Sequence, residues 1–327
     1  VLLALFSVYL IWGSTYLGMA IALESFPPFW LGAIRFLAAG ALFYAVLRLR
    51  GERAPSRREW GSAALTGLLF FAGGNGLVAV GQQWVSSGLA AVVVASMPLW
   101  MAVMLRFGGQ RLAGAEKLGL LVGFAGVALL HLGGELHVKD GPSWVIGLAP
   151  VAWASGSLLS RRLPLPKGPI GSAAQMLAGG AAMMVIALVL GDPLRPPTAR
   201  SCAALVYLVL LGSIVGFSAY AYLLRNTRPA IATSYAYVNP VIAIALGVAF
   251  GGERPGPTTW LASAVILLGV LLITRAKREP SAPLAPNGPN GQEAPTRRTP
   301  AEGTSPSAPD SPRHQGNRAS SPRRSRS

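Results

Sequence analysis

Long apolar stretches broken by short polar ones fill the chain from its first residue to about residue 275. Ten such runs can be drawn, at 1–22, 29–47, 60–82, 88–105, 118–132, 143–160, 170–190, 202–224, 230–250 and 258–274. Most reach the roughly 17–25 residues that a helix needs to cross hydrocarbon. The fifth run is short, and a snorkelling Lys117 would let its helix start earlier. None of the runs alternates with a period of two, so a lipid-facing barrel is excluded and transmembrane helices are expected. The first run has no basic leader and no cleavage site before the next span. It is therefore expected to be retained and not cleaved as a signal peptide, and the absent Met points to a truncated or processed start.

The runs repeat. Trp12-Gly-Ser14 recurs as Trp153-Ala-Ser155, and RFLAAGA from Arg35 recurs as QMLAGGA from Gln175. Pro98 matches Pro240, and FGGQR from Phe107 matches FGGER from Phe250, always 140 to 143 residues apart. Five spans separate the copies, and because five is odd the second copy must enter the membrane from the opposite side. The expected architecture is an all-α membrane protein of ten transmembrane helices, arranged as two inverted five-helix repeats at 1–134 and 143–275. Residues 276–327 change to Pro, Ser, Gly and Arg with few apolar groups, a composition expected to stay disordered.

Composition agrees with this class: 52% of the 327 residues are apolar and 12% charged, with a mean hydropathy of +0.48. The net charge of +16 would suit a nucleic acid, but its distribution argues against that partner. With the N-terminus in the cytoplasm, sixteen Lys and Arg residues fall in the inner loops and just after the last span, beginning with Arg48, Arg50, Arg53, Arg57 and Arg58. Lys139, Arg195, Arg200 and Arg254 are the four that fall outside. This asymmetry places both termini in the cytoplasm. Residues 276–327, which include two of the sixteen, hold nine basic against four acidic residues, enough to touch anionic headgroups.

Candidate chemistry is sparse. Arg35 is the one Asp, Glu, Lys or Arg within the ten runs, and an intramembrane charge is costly enough to mark a functional candidate. The alternative is that it snorkels to the outer surface toward Glu24. Trp12, Thr15 and Tyr16 share one helical face, and Asn75, Trp153, Tyr220, Tyr235 and Asn239 occupy matching regions of the two halves. Aromatic walls with a few fixed polar groups would suit an amphipathic organic solute; the alternative is helix-packing polar groups and interface aromatics. Pro98 and Pro240 would kink their spans and are candidate gating positions. Single Cys202 and three scattered histidines give no metal-ligand spacing. The GxGxxA string at Gly74, Gly76 and Ala79 lies inside a span, where no dinucleotide fold can form, and no Lys precedes Ser or Thr as a P-loop requires. No cofactor and no nucleic acid are expected. The GxxxG pairs Gly119/Gly123, Gly212/Gly216 and Gly247/Gly251 are expected to pack helices within the monomer, with a homodimer left open.

The strings WGSTY, RFLAAG, GNG, SGLAAVVVASMP and ATSYAYVNP, with GGE at Gly251–Glu253, resemble EamA-type drug/metabolite transporters, most of all a YedA-like branch of that superfamily. The likeness spans about residues 1–275. It implies inner-membrane efflux of metabolites, amino acids or drug-like compounds through a cavity between the repeats. It also implies an acidic and a histidine residue at the end of the third helix, where this chain has Gly81, Gln82 and Gln83. Proton coupling is thereby open, as is coupling through Glu24 or Glu253. Facilitated import and a non-transporting receptor or scaffold are the alternatives. An embedded enzyme is disfavoured, because the runs offer only His131 and Arg35 for acid-base work. Reporter fusions after Arg58 and after Lys139 should give opposite cytoplasmic and external signals; matching signals would refute the ten-span topology.

Overall fold

Proline opens three of the main helices, where its missing N–H costs nothing and its fixed φ suits the first turn. Pro28 begins α2 (Pro28–Leu49), Pro169 begins α7 (Pro169–Leu190) and Pro257 begins α10 (Pro257–Arg275). The computed structural model describes residues 1–109, 112–132, 141–194, 196–227 and 234–275. The tail at 276–327, His137 and Lys139 lie outside the described residues.

The remaining helices follow the apolar runs closely. They are α1 (Leu2–Ala22), α3 (Arg57–Gly81), α4 (Ser87–Phe107), α5 (Gly114–Leu132), α6 (Ser143–Leu159) and α9 (Tyr235–Phe250). The eighth, α8, runs through Ala199–Tyr207, Leu208–Val215 and Gly216–Asn226. Among the described residues there is no strand. By length and composition α1, α2, α3, α4, α7 and Ala199–Tyr220 of α8 can each cross a bilayer, while α6 and parts of α9 and α10 are shorter apolar helices. The early start of α5, at Gly114, brings Glu116 and Lys117 into its first turn.

Two features recur between the halves at the spacing of the sequence repeat. Ser56 caps α3 by accepting from Glu59 N at 3.3 Å, and Thr198 caps α8 by accepting from Ser201 N at 3.1 Å. Each such cap is worth about 1 kcal/mol. More unusual are π-helical stretches at Leu68–Gly76 in α3 and Leu208–Val215 in α8, which start 140 residues apart. In both, a polar side chain donates to a carbonyl five residues back: Asn75 Nδ2 to Phe70 O at 3.2 Å, and Ser213 Oγ to Leu208 O at 3.0 Å. Short π stretches within α-helices cluster at functional sites.

Packing is also paired. α2 lies on α7, α4 on α9 and α5 on α10; α1 meets α8 and α9 much as α6 meets α3 and α4. The α5/α10 contact shows how close the backbones come. A Cβ on Gly269 would fall 2.4 Å from Gly123 N and 2.5 Å from its Cα, and one on Gly119 would fall 2.7 Å from Gly269 O. Gly212 and Gly216 face Thr15 and Trp12 of α1, while Gly247 and Gly251 face Glu253 and Leu17. Gly119/Gly123 and Gly212/Gly216 thus pack against other helices of the monomer, as does Gly251, whereas Gly247 backs onto Glu253 in the turn after its own helix. Gly269→Ala should lower the yield of detergent-stable monomer by the equivalent of about 1–3 kcal/mol, since backbone and not a flexible side chain blocks the new methyl. Gly61→Ala, with nothing within 4 Å of the added carbon, is the matched control and should leave yield unchanged.

Candidate functional site

Helices from both halves converge on one cavity. α1 contributes Trp12, Thr15, Tyr16 and Met19; α2 contributes Arg35; α3 contributes Asn75 and Val78; α6 contributes Trp153 and α8 contributes Phe217. The two proline-bearing helices close it, α4 with Ala91, Val94, Ala95, Met97 and Pro98, and α9 with Tyr235, Ala236, Asn239 and Pro240.

Ten of the eleven residues singled out by sequence therefore lie on one wall or another of this space. Tyr220 does not. Its ring stands behind the wall, 5.2 Å from Trp12 and 5.6 Å from Tyr235, because α8 presents Phe217 to the cavity one turn earlier. The two prolines also differ. Pro240 sits inside a continuous helix, so it donates nothing to the carbonyl of Ala236. Pro98 instead lies in the first turn after α4 breaks at Ala95 and Ser96.

Trp12 is the hub. Its ring makes edge or tilted contacts with Phe217 (5.2 Å), Tyr220 (5.2 Å) and Tyr235 (4.8 Å), and its Nε1 donates to Gly212 O at 3.2 Å. Thr15 returns its hydroxyl proton to Trp12 O at 2.6 Å. Gln82, at the end of α3, donates from Nε2 to Tyr16 O at 3.0 Å. Arg35 is buried, so it does not snorkel. Its Nε donates to Ser213 Oγ at 3.0 Å, while Glu24 pairs with Arg200 at 3.2 Å. Asn239 is buried too, and among the described residues its Oδ1 has no hydrogen-bond partner. A buried acceptor left open costs about 1–3 kcal/mol, so a donor arriving in the cavity is favoured.

Beyond the cavity, a second-half residue ties down a first-half helix. Glu253 accepts from Ser87 N at 2.7 Å and from Gly88 N at 3.1 Å, at the start of α4. Gly252, at φ +66°, makes the turn that aims it. The sequence reading missed Phe217, Ser213 and the methionines Met19 and Met97. Ser213 carried a signal, being the sole polar side chain in Leu208–Val215, but its partner depends on how α2 and α8 pack. No group of His, Cys, Asp and Glu able to hold a metal occurs among the described residues.

Apolar spanning helices around a buried aromatic and polar cavity define an integral membrane protein of the transporter type. The sequence model of the EamA-like transporter family matches residues 1–132 and again 142–275, and the chain belongs to that family. It is 44% identical over 276 residues to the inner membrane transporter YedA of Escherichia coli K12, covering 84% of this chain and 90% of that protein. A probable terminal-alkyne amino-acid exporter of Streptantibioticus cattleyicolor is 26% identical over 81% of this chain and 90% of its own length. A solved crystal structure at 23% identity shares the fold with a TM-score of 0.58, over 83% of this chain and 96% of the other. Family and relatives are transporters, which fits a non-enzymic protein.

Proposed function

We propose that the chain is a secondary exporter of small organic metabolites, amino acids or drug-like compounds. In this reading ten spanning helices form two inverted repeats, 1–134 and 143–275, in an inner membrane with both termini cytoplasmic. The cargo sits in the central cavity.

The observation that carries the reading is the cavity's composition from both halves, since a site at the interface of two repeats can be exposed to either side by rocking one against the other. Paired packing, paired π stretches and the two family matches support the repeat. The inner-membrane relative and the exporter relative support place and direction. Chemically, the rings of Trp12, Tyr16, Trp153 and Tyr235 would hold the apolar part of a cargo, and Asn239 Oδ1 with the Ala236 carbonyl would accept its donors. Pro98 and Pro240 put flexible points in α4 and α9, the helices that Glu253 ties together.

The test is solute flux in proteoliposomes, with and without a pH gradient, over amino acids, cationic drugs and nucleotide-like metabolites. Absence of flux for every class would refute the reading. Within it, Asn239→Leu should cut flux per detergent-stable monomer by about tenfold or more, matching the ~1.4 kcal/mol of one hydrogen bond. Monomer yield should hold, because the side-chain oxygen satisfies nothing in the described fold. Tyr235→Phe should change substrate preference more than abundance. Unchanged normalised flux in both variants would remove α9 from the site.

A further inference from the structure

Arg35 makes a chemical demand that the fold leaves unmet. Its side chain is 4% exposed and lines the cavity. The Nε bond to Ser213 at 3.0 Å and the ring of Phe36, 4.7 Å from the guanidinium carbon, hold it in place. Neither contact uses the two terminal nitrogens. Among the described residues the ion pairs are Arg53–Glu59 and Arg200–Glu24, and no Asp or Glu lines the cavity. Gly212 fits closely against Arg35: a Cβ there would lie 3.1 Å from Arg35 Nη2 and 3.0 Å from Thr15 Cγ2, so a larger residue would crowd the guanidinium.

A cation so placed is costly unless something of opposite charge joins it, because surrounding hydrocarbon screens little. The charge is a single unit, so a monoanion leaves the loaded cavity neutral. A dianion would leave it negative and would lose more hydration on entry. The planar fork of N–H donors also matches a carboxylate better than it matches a spherical anion.

We propose that Arg35 is the residue that recognises the cargo, and that the cargo carries one carboxylate, bound by the terminal guanidinium nitrogens where Arg35 lines the cavity. Its apolar part then lies against Trp12 and Tyr235. The inference rests on the reading of the cavity as the cargo site, and it narrows the range of solutes to organic monoanions with a single carboxylate.

The test uses the purified full chain in detergent and four probes with one aromatic group and different heads: 3-phenylpropionate, 3-phenylpropionamide, 3-phenylpropylamine and phenyl phosphate. Thermal unfolding is followed against probe concentration. The carboxylate should stabilise the protein at concentrations at least tenfold below the others. Arg35→Gln should erase that preference, and Arg35→Lys, which keeps the charge and loses the fork, should weaken it several-fold. Equal stabilisation by amide or amine, tighter binding of the phosphate, no stabilisation by any probe, or a carboxylate preference that survives Arg35→Gln would overturn the proposal. If Arg35→Gln does not fold, the wild-type order and the Lys variant decide it. Flux of the same probes in vesicles separates the two claims. Transport indifferent to the carboxylate refutes the role of Arg35 and leaves transport standing, whereas Arg35-dependent carboxylate binding with no flux of any solute class supports carboxylate binding at Arg35 and refutes transport.

Discussion

Inside hydrocarbon there is no water to satisfy a polar group, and this constraint organises the molecule. Backbone groups are satisfied within helices, which is why almost the whole described chain is helical. Side-chain hydroxyls in the spans return their protons to carbonyls of the same helix, as Thr15, Thr66, Ser155 and Ser157 do. Two groups that are not satisfied this way, Arg35 and Asn239, are buried and line the same cavity.

With the polar groups turned inward, the helices must approach closely without side chains to hold them apart. Glycine makes this possible where α5 meets α10 and where α2 meets α7. There, a Cβ on Gly40 would lie 2.9 Å from Leu177 N, and one on Gly180 would lie 2.9 Å from Leu37 N. Away from these paired contacts, bulky rings from α1, α6, α8 and α9 line the cavity. Trp12 ties α1 to α8 and α9 through its ring contacts, and its bond to Gly212 O fixes one wall.

Much of this was legible beforehand, because continuous apolarity and proline positions mark spanning helices without any knowledge of tertiary contacts. The clustering of Trp12, Thr15 and Tyr16 was legible too, since three residues on one helical face must share an environment. Other features depend on contacts between helices distant in sequence. That Arg35 meets Ser213, 178 positions away, and not Glu24 follows from the register of α2 against α8. The π stretches were hidden for a related reason: Asn75 and Ser213 each bond five residues back only once the helix has widened around its neighbours. Tyr220 looked like a wall residue by type, but the rotation of α8 put Phe217 there.

On the proposed reading, the cavity lies on the cargo's path and opens to each side in turn. The single cysteine, Cys202, makes a direct measurement practical. In a Cys202→Ser chain carrying Thr15→Cys, a membrane-impermeant thiol reagent is applied to sealed vesicles of either orientation. Labelling from both sides, slowed by a transported solute, is expected. Labelling from one side only, or labelling that no solute affects, would contradict it.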